Sequence, residues 1–193
     1  MKPAGVTPKS LNQPQHATAR IAIISSAWHR DIVGRSTQAV VAEIARQRPG
    51  TSAVELFEVP GAFEIPLHAQ RLAQSGRFDA IIACGLVVNG GIYRHEFVAS
   101  AVIDALMRVQ LDTGVPVFSA VLTPRDFHDH EEHRRFFADH FVHKGTEVAN
   151  ACLQTLDGLA ALSSAPAATP AAATVNPSAI TPTSTLPNPS VTA

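Results

Sequence analysis

The chain is poor in cysteine, in charge and in long apolar runs, and each shortage removes a class of explanation. Of its 193 residues only two are cysteines, Cys84 inside an apolar run and Cys152 inside a helical pattern, neither with a partner nearby in sequence. No disulfide framework is supported, which fits a reducing cytoplasm. Charged residues make up 16% of the chain, and 15 Lys and Arg against 16 Asp and Glu leave a net charge of -1. A surface basic enough to grip nucleic acid through its phosphates is not expected. The opening stretch MKPAGVTPKSLNQPQHATAR has no apolar centre of signal-peptide length, and no later run is long enough to span a bilayer. These shortages point to a soluble, cytoplasmic protein with neither a nucleic-acid nor a membrane partner.

What is present is one core's worth of apolar residues, 46% of the chain, framed by two ends that cannot contribute to it. Residues 1–19 are rich in Pro, Gln, Thr and Lys without periodicity, and residues 163–193 are almost wholly Ala, Pro, Thr and Ser, with no charge or aromatic after Asp157. Neither end buries enough apolar surface to offset the entropy of ordering it, so a flexible leader and a disordered tail are expected around a folded unit of residues 20–162.

Within that unit, strand and helix patterns alternate. RIAIIS, SAVELFEV, FDAIIACGLVV and VPVFSAVLT read as strands. Between them lie DIVGRSTQAVVAEIARQ, with Asp31 as its cap, PGAFEIPLHAQRLAQSG, opened by Pro60 and closed by Gly76, and EFVASAVIDALMRVQLDTG. One or two further helices fill Phe127 to Leu162. Such alternation predicts a three-layer α/β sandwich around a parallel four-stranded sheet, flavodoxin-like in class. Ligands gather at the carboxyl ends of such strands, which selects four loops: Ser26–Asp31, Val59–Glu64, Val88–His95 and Thr123–His133.

Each loop holds a residue with two readings. Gly90-Gly91, between the longest strand and a helix, offers bare backbone N–H groups to an anion or simply makes a tight turn; no Lys-Ser/Thr follows, so it is not a P-loop. His95 suits general acid/base work or is a surface histidine. Trp28, the sole tryptophan, stacks a planar heterocycle or packs on the rim of its loop. Glu64 binds hydroxyls or serves a helix dipole. The string FHDHEEHRRFF lacks the third ligand that would complete an H-E-x-x-H metal site and reads better as a charged helix face, with His133 and Arg134 as anion contacts.

Taken together, VPGAFEIP, GLVVNGGIYRHEFV, TGVPVFSAVLT and HKGTEVANA resemble lumazine synthase, the penultimate enzyme of riboflavin synthesis. The resemblance implies condensation of 5-amino-6-(D-ribitylamino)uracil with 3,4-dihydroxy-2-butanone 4-phosphate, releasing phosphate and water, with no metal and no organic cofactor. It also implies one pocket. Trp28 would stack on the pyrimidinedione, Ala62, Phe63 and Glu64 would line the ribityl side, and Leu86, Val87 and Val88 would hold the ring edge through backbone. Gly91 and Ile92 would offer N–H groups to the phosphate, and His95 would transfer protons. Ser119 and His133 would come from the neighbouring subunit of a pentameric ring. The family commonly has Phe at the positions of Trp28 and Ser119 and Arg at that of His133; with GGIYRH, these features resemble a divergent subgroup of decameric enzymes. The alternative readings are a flavin- or lumazine-binding storage or sensing protein and, on the histidine string, a metal-dependent hydrolase.

Overall fold

A computed structural model describes residues 18–50, 52–90 and 94–164. Its strands are β1 (Ala19–Ser26), β2 (Ser52–Val59), β3 (Ala80–Leu86) and β4 (Val117–Leu122); its helices are α1 (Arg30–Gln47), α2 (Ile65–Gln74), α3 (His95–Thr113) and α4 (Glu131–Ser164). All pairings are parallel, in the order β2-β1-β3-β4. This is the flavodoxin-like α/β sandwich that the alternation predicts.

The two central strands explain the layers. Every residue of β3 is buried, as is the run Ile21–Ile24 of β1, and a strand hidden on both faces must be apolar throughout. Side chains alternate between faces: Ile21, Ile23, Ile82 and Cys84 pack with α1 and α4, whereas Ala22, Ile24, Ile81 and Ala83 pack with α2 and α3. Each fully buried isoleucine stabilises the fold by roughly 1.5–3 kcal/mol relative to exposure. Burial also keeps both thiols protonated, pushing Cys152 up to about 12 and Cys84 upward as well.

The helix pair α1 and α4 approaches more closely than side chains would allow. A Cβ on Gly145 would lie 2.5 Å from the Ser36 carbonyl oxygen and 2.8 Å from Ala39 Cβ. The glycine of HKGTEVANA is thus a helix-crossing residue, a role its sequence does not disclose.

Three element boundaries differ from the sequence expectation. Asp31 is not the cap of α1. His29 holds that position in the left-handed region (φ 55, ψ 40), and its carbonyl accepts from the N–H groups of Ile32 and Val33 (both 2.9 Å). Asp31 sits in the first turn instead. Pro60 does not open a helix, because Gly61 is extended (φ -136, ψ 179) and a 3₁₀ turn, Ala62–Glu64, intervenes before α2. The proline in the first turn of α2 is Pro66. The last helical segment is one helix, which runs to Ser164, two residues past the expected body. Residues 1–17 and 165–193, where the flexible leader and disordered tail are expected, lie outside the described residues.

Gly145→Ala should destabilise the protein by about 1–3 kcal/mol, the usual cost of overpacking, and lower the melting temperature by several degrees. An unchanged melting curve would mean that the α1–α4 crossing relaxes freely.

Glu43 gives a pH test. Hydrogen bonds from Arg46 and Gln47 hold its carboxyl down at about 2, below the ordinary 4.5. A depressed folded pKa adds stability that is complete above 4.5 and is lost as pH falls towards 2. Glu43→Gln should therefore melt below the native protein at pH 7, with the gap narrowing below pH 4.5. A gap independent of pH would refute this assignment.

Candidate active site

The parallel sheet brings the carboxyl ends of all four strands to one edge. There the loops after β1 and β2 are joined by backbone: Ala27 N–H donates to the Val59 carbonyl (2.8 Å) and Trp28 N–H to the Pro60 carbonyl (3.1 Å). The Trp28 ring then lies across Gly61, where a Cβ would stand 2.9 Å from ring atoms Cε3 and Cζ3. The ring is held on bare backbone while 66% of the residue faces solvent. Glu64 Oε2 accepts from Gly61 N–H (2.9 Å). Phe63 is exposed beside it, and Ala62 is buried.

Gly85 lets this turn settle on the sheet. A Cβ there would meet Ile65 Cδ1 at 3.2 Å, Ala62 Cβ at 3.4 Å and Ser26 Oγ at 3.6 Å. Beyond it Leu86 and Val87 are buried and Val88 is half-buried. Val87 N–H is already committed to the Leu122 carbonyl (2.9 Å), so that donor is not available to a ligand at this strand end. Gly91 and Ile92 lie outside the described residues.

A second cluster forms over the ends of β3 and β4. His95 is the first residue of α3, its side chain only 13% exposed, with Nδ1 3.6 Å from Glu96 Oε2. A cavity of about 310 Å³ opens beside it, bordered also by Ala99, Ser100, Thr123 and Arg125. Ser119 lies two residues before the end of this face of β4, exposed on an edge strand, and its Oγ accepts from Val121 N–H (3.2 Å). Sequence reasoning selected the loop that carries Thr123 and Arg125 but not those residues; a cation directly after a strand's carboxyl end was the available signal.

His133 belongs to a third group. His130 Nδ1 accepts from His133 N–H (3.4 Å), and His133 Nδ1 accepts from His128 N–H (3.2 Å). The histidines close the first turn of α4 on itself, much as a capping box does. Among the described residues no three His, Cys, Asp or Glu side chains are placed to hold a metal ion. Arg134 is held by Asp129 and Asp31 (2.5 Å each), and both carboxylates raise its pKa. Phe127 packs edge-on against His29 at 5.5 Å between ring centroids, fixing this loop over the start of α1.

An open parallel sheet with an exposed aromatic ring and a recessed imidazole along one carboxyl edge defines a flavodoxin-like α/β protein. Residues 18–160 match the 6,7-dimethyl-8-ribityllumazine synthase family. The chain is 53% identical over 162 residues to 6,7-dimethyl-8-ribityllumazine synthase 2 of Pseudomonas syringae pv. tomato, covering 84% of this chain and 94% of that one. It is 59% identical over 143 residues to 6,7-dimethyl-8-ribityllumazine synthase of Rhodococcus erythropolis, covering 74% and 92% respectively. It is also 57% identical over 153 residues to the Bradyrhizobium diazoefficiens protein 6,7-dimethyl-8-ribityllumazine synthase 2, covering 79% and 92%. The chain belongs to this family, a family of transferases of riboflavin biosynthesis.

Because the Trp28 ring needs the space that a methyl would fill, Gly61→Ala should shift the emission of this sole tryptophan. It should also weaken binding of a lumazine analogue, by up to the 1–3 kcal/mol typical of losing one stacked base, with far-UV circular dichroism unchanged. Native emission and affinity in the variant would show that the ring does not depend on Gly61.

Proposed function

We propose that the chain condenses 5-amino-6-(D-ribitylamino)uracil with 3,4-dihydroxy-2-butanone 4-phosphate to 6,7-dimethyl-8-ribityllumazine in the crevice over the carboxyl edge of its sheet. The observation that carries this is the pairing along that edge of an exposed ring, Trp28, with a recessed imidazole, His95, beside a polar cavity. Trp28 stacks the pyrimidinedione. Ala62, Phe63 and the unbonded oxygen of Glu64 face the ribityl chain, while backbone of Leu86, Val87 and Val88 meets the ring edge. Gly91 and Ile92 take the phosphate. Imine formation, phosphate loss and ring closure each require proton movement, which falls to His95. Holding both reactants together supplies much of the acceleration.

Two surface features support a homo-oligomer, read here as a pentamer paired into a decamer. Ser119 is open on edge strand β4, and Leu56, Leu67 and Leu111 are 60%, 58% and 75% exposed. In the ring, Ser119 and His133 complete the neighbour's site. The catalytic body is residues 20–162.

The test is a steady-state assay with both substrates, followed by lumazine absorbance. His95→Ala should slow turnover about ten- to a thousandfold, the span left when positioning survives without the proton donor, while binding of a lumazine analogue stays near native. Native turnover in that variant would sink the role given to His95.

A further inference from the structure

We propose that Arg125 holds the anionic end of the phosphorylated substrate, in the cavity it shares with His95. This rests on the condensation proposed above and adds a binding residue to it. In that reading the phosphate meets backbone N–H groups and a neighbour's His133, none of which carries a permanent charge. The Nδ1 of His133 also accepts from His128 N–H, which an imidazole can do only with that nitrogen unprotonated. A dianionic group calls for a fixed cation, and most cations near the sheet edge are engaged: Arg134 by Asp129 and Asp31, and Arg30 by Glu58.

Arg125 is not. It has no carboxylate partner among the described residues, it stands exposed three residues after β4 ends, and it borders the cavity of about 310 Å³. That volume admits a four-carbon phosphate. The cavity walls suit the ligand: Ser100 and Thr123 add hydroxyl donors. The 19-residue helix α3 begins at His95, so the positive end of its dipole opens on the same space. The one carboxylate on the wall, Glu96, is turned to the imidazole, 3.6 Å from His95 Nδ1, and is 69% exposed, so water screens its repulsion of an entering anion. A phosphate held by Arg125 would place the attached carbon chain beside His95.

The experiment uses the full-length chain with Arg125→Gln and Arg125→Lys, measuring KM for each substrate, kcat, and inhibition by inorganic phosphate. Loss of a charged hydrogen-bonding partner should raise KM for the butanone phosphate and the phosphate inhibition constant about 10- to 100-fold. KM for the ribitylaminouracil and kcat should move less than about threefold. Arg125→Lys should fall between, because it keeps the charge without the planar fork. If the native chain forms lumazine but Arg125→Gln leaves both phosphate-dependent constants unchanged, the inference is overturned while the reaction stands. Equal rises in both KM values would overturn it as well. A native chain that forms no lumazine would instead count against the condensation itself.

Discussion

Everything at the functional edge depends on β3 being buried on both faces. A strand in that position has no water to satisfy its backbone, so β1 and β4 must pair with it along its length. Parallel pairing then obliges every connection to cross over the sheet and return, which leaves all strand carboxyl ends, and the loops that follow them, on one side. The strand order turns between β1 and β3, with the Trp28 loop on one side and the cavity beside His95, over the ends of β3 and β4, on the other. Gly85 carries the constraint into the site: without a side chain there, Ser26, Ala62 and Ile65 converge on one point.

The two halves of the site are built by different physics. Around Trp28 the geometry comes from backbone: two loop hydrogen bonds, one extended glycine and one carboxylate returning to it. A ring supported this way costs little to hold ready, because its support is already ordered by the sheet. Around His95 the groups are side chains with charges and hydroxyls, facing a cavity instead of a wall. Such a division suits a reaction that must hold a flat heterocycle still while a second, phosphorylated reactant arrives and loses its phosphate.

The histidine string illustrates how local chemistry can mislead. Imidazoles this dense look like metal ligands in sequence, yet the ring nitrogens of His130 and His133 are turned to backbone N–H groups of their own loop. The donors of a helix start need acceptors, and here two imidazoles supply them. The neighbouring Arg134 is likewise drawn into structure, tying α4 to the first turn of α1 through Asp31.

By itself the sequence determined the α/β class, the alternation of elements and the four loops at the ligand edge, because apolar periodicity and the rules of parallel crossovers act locally or follow from burial. Trp28, Glu64 and His95 were legible as candidates since each stands at a strand end, next to a helix start. Only tertiary structure decided what depends on distant partners. Gly145 is needed because Ser36 lies against it, more than a hundred residues away in the chain; Gly61 is needed because Trp28 lies on it. Asp31 lost its role as a cap because the His29 carbonyl had already closed the turn and Arg134 offered a charge. Arg125 came to border the same cavity as His95 when β4 placed it there. No pattern within a single segment encodes such pairings, since each is a contact between surfaces that exist only once the sheet has formed.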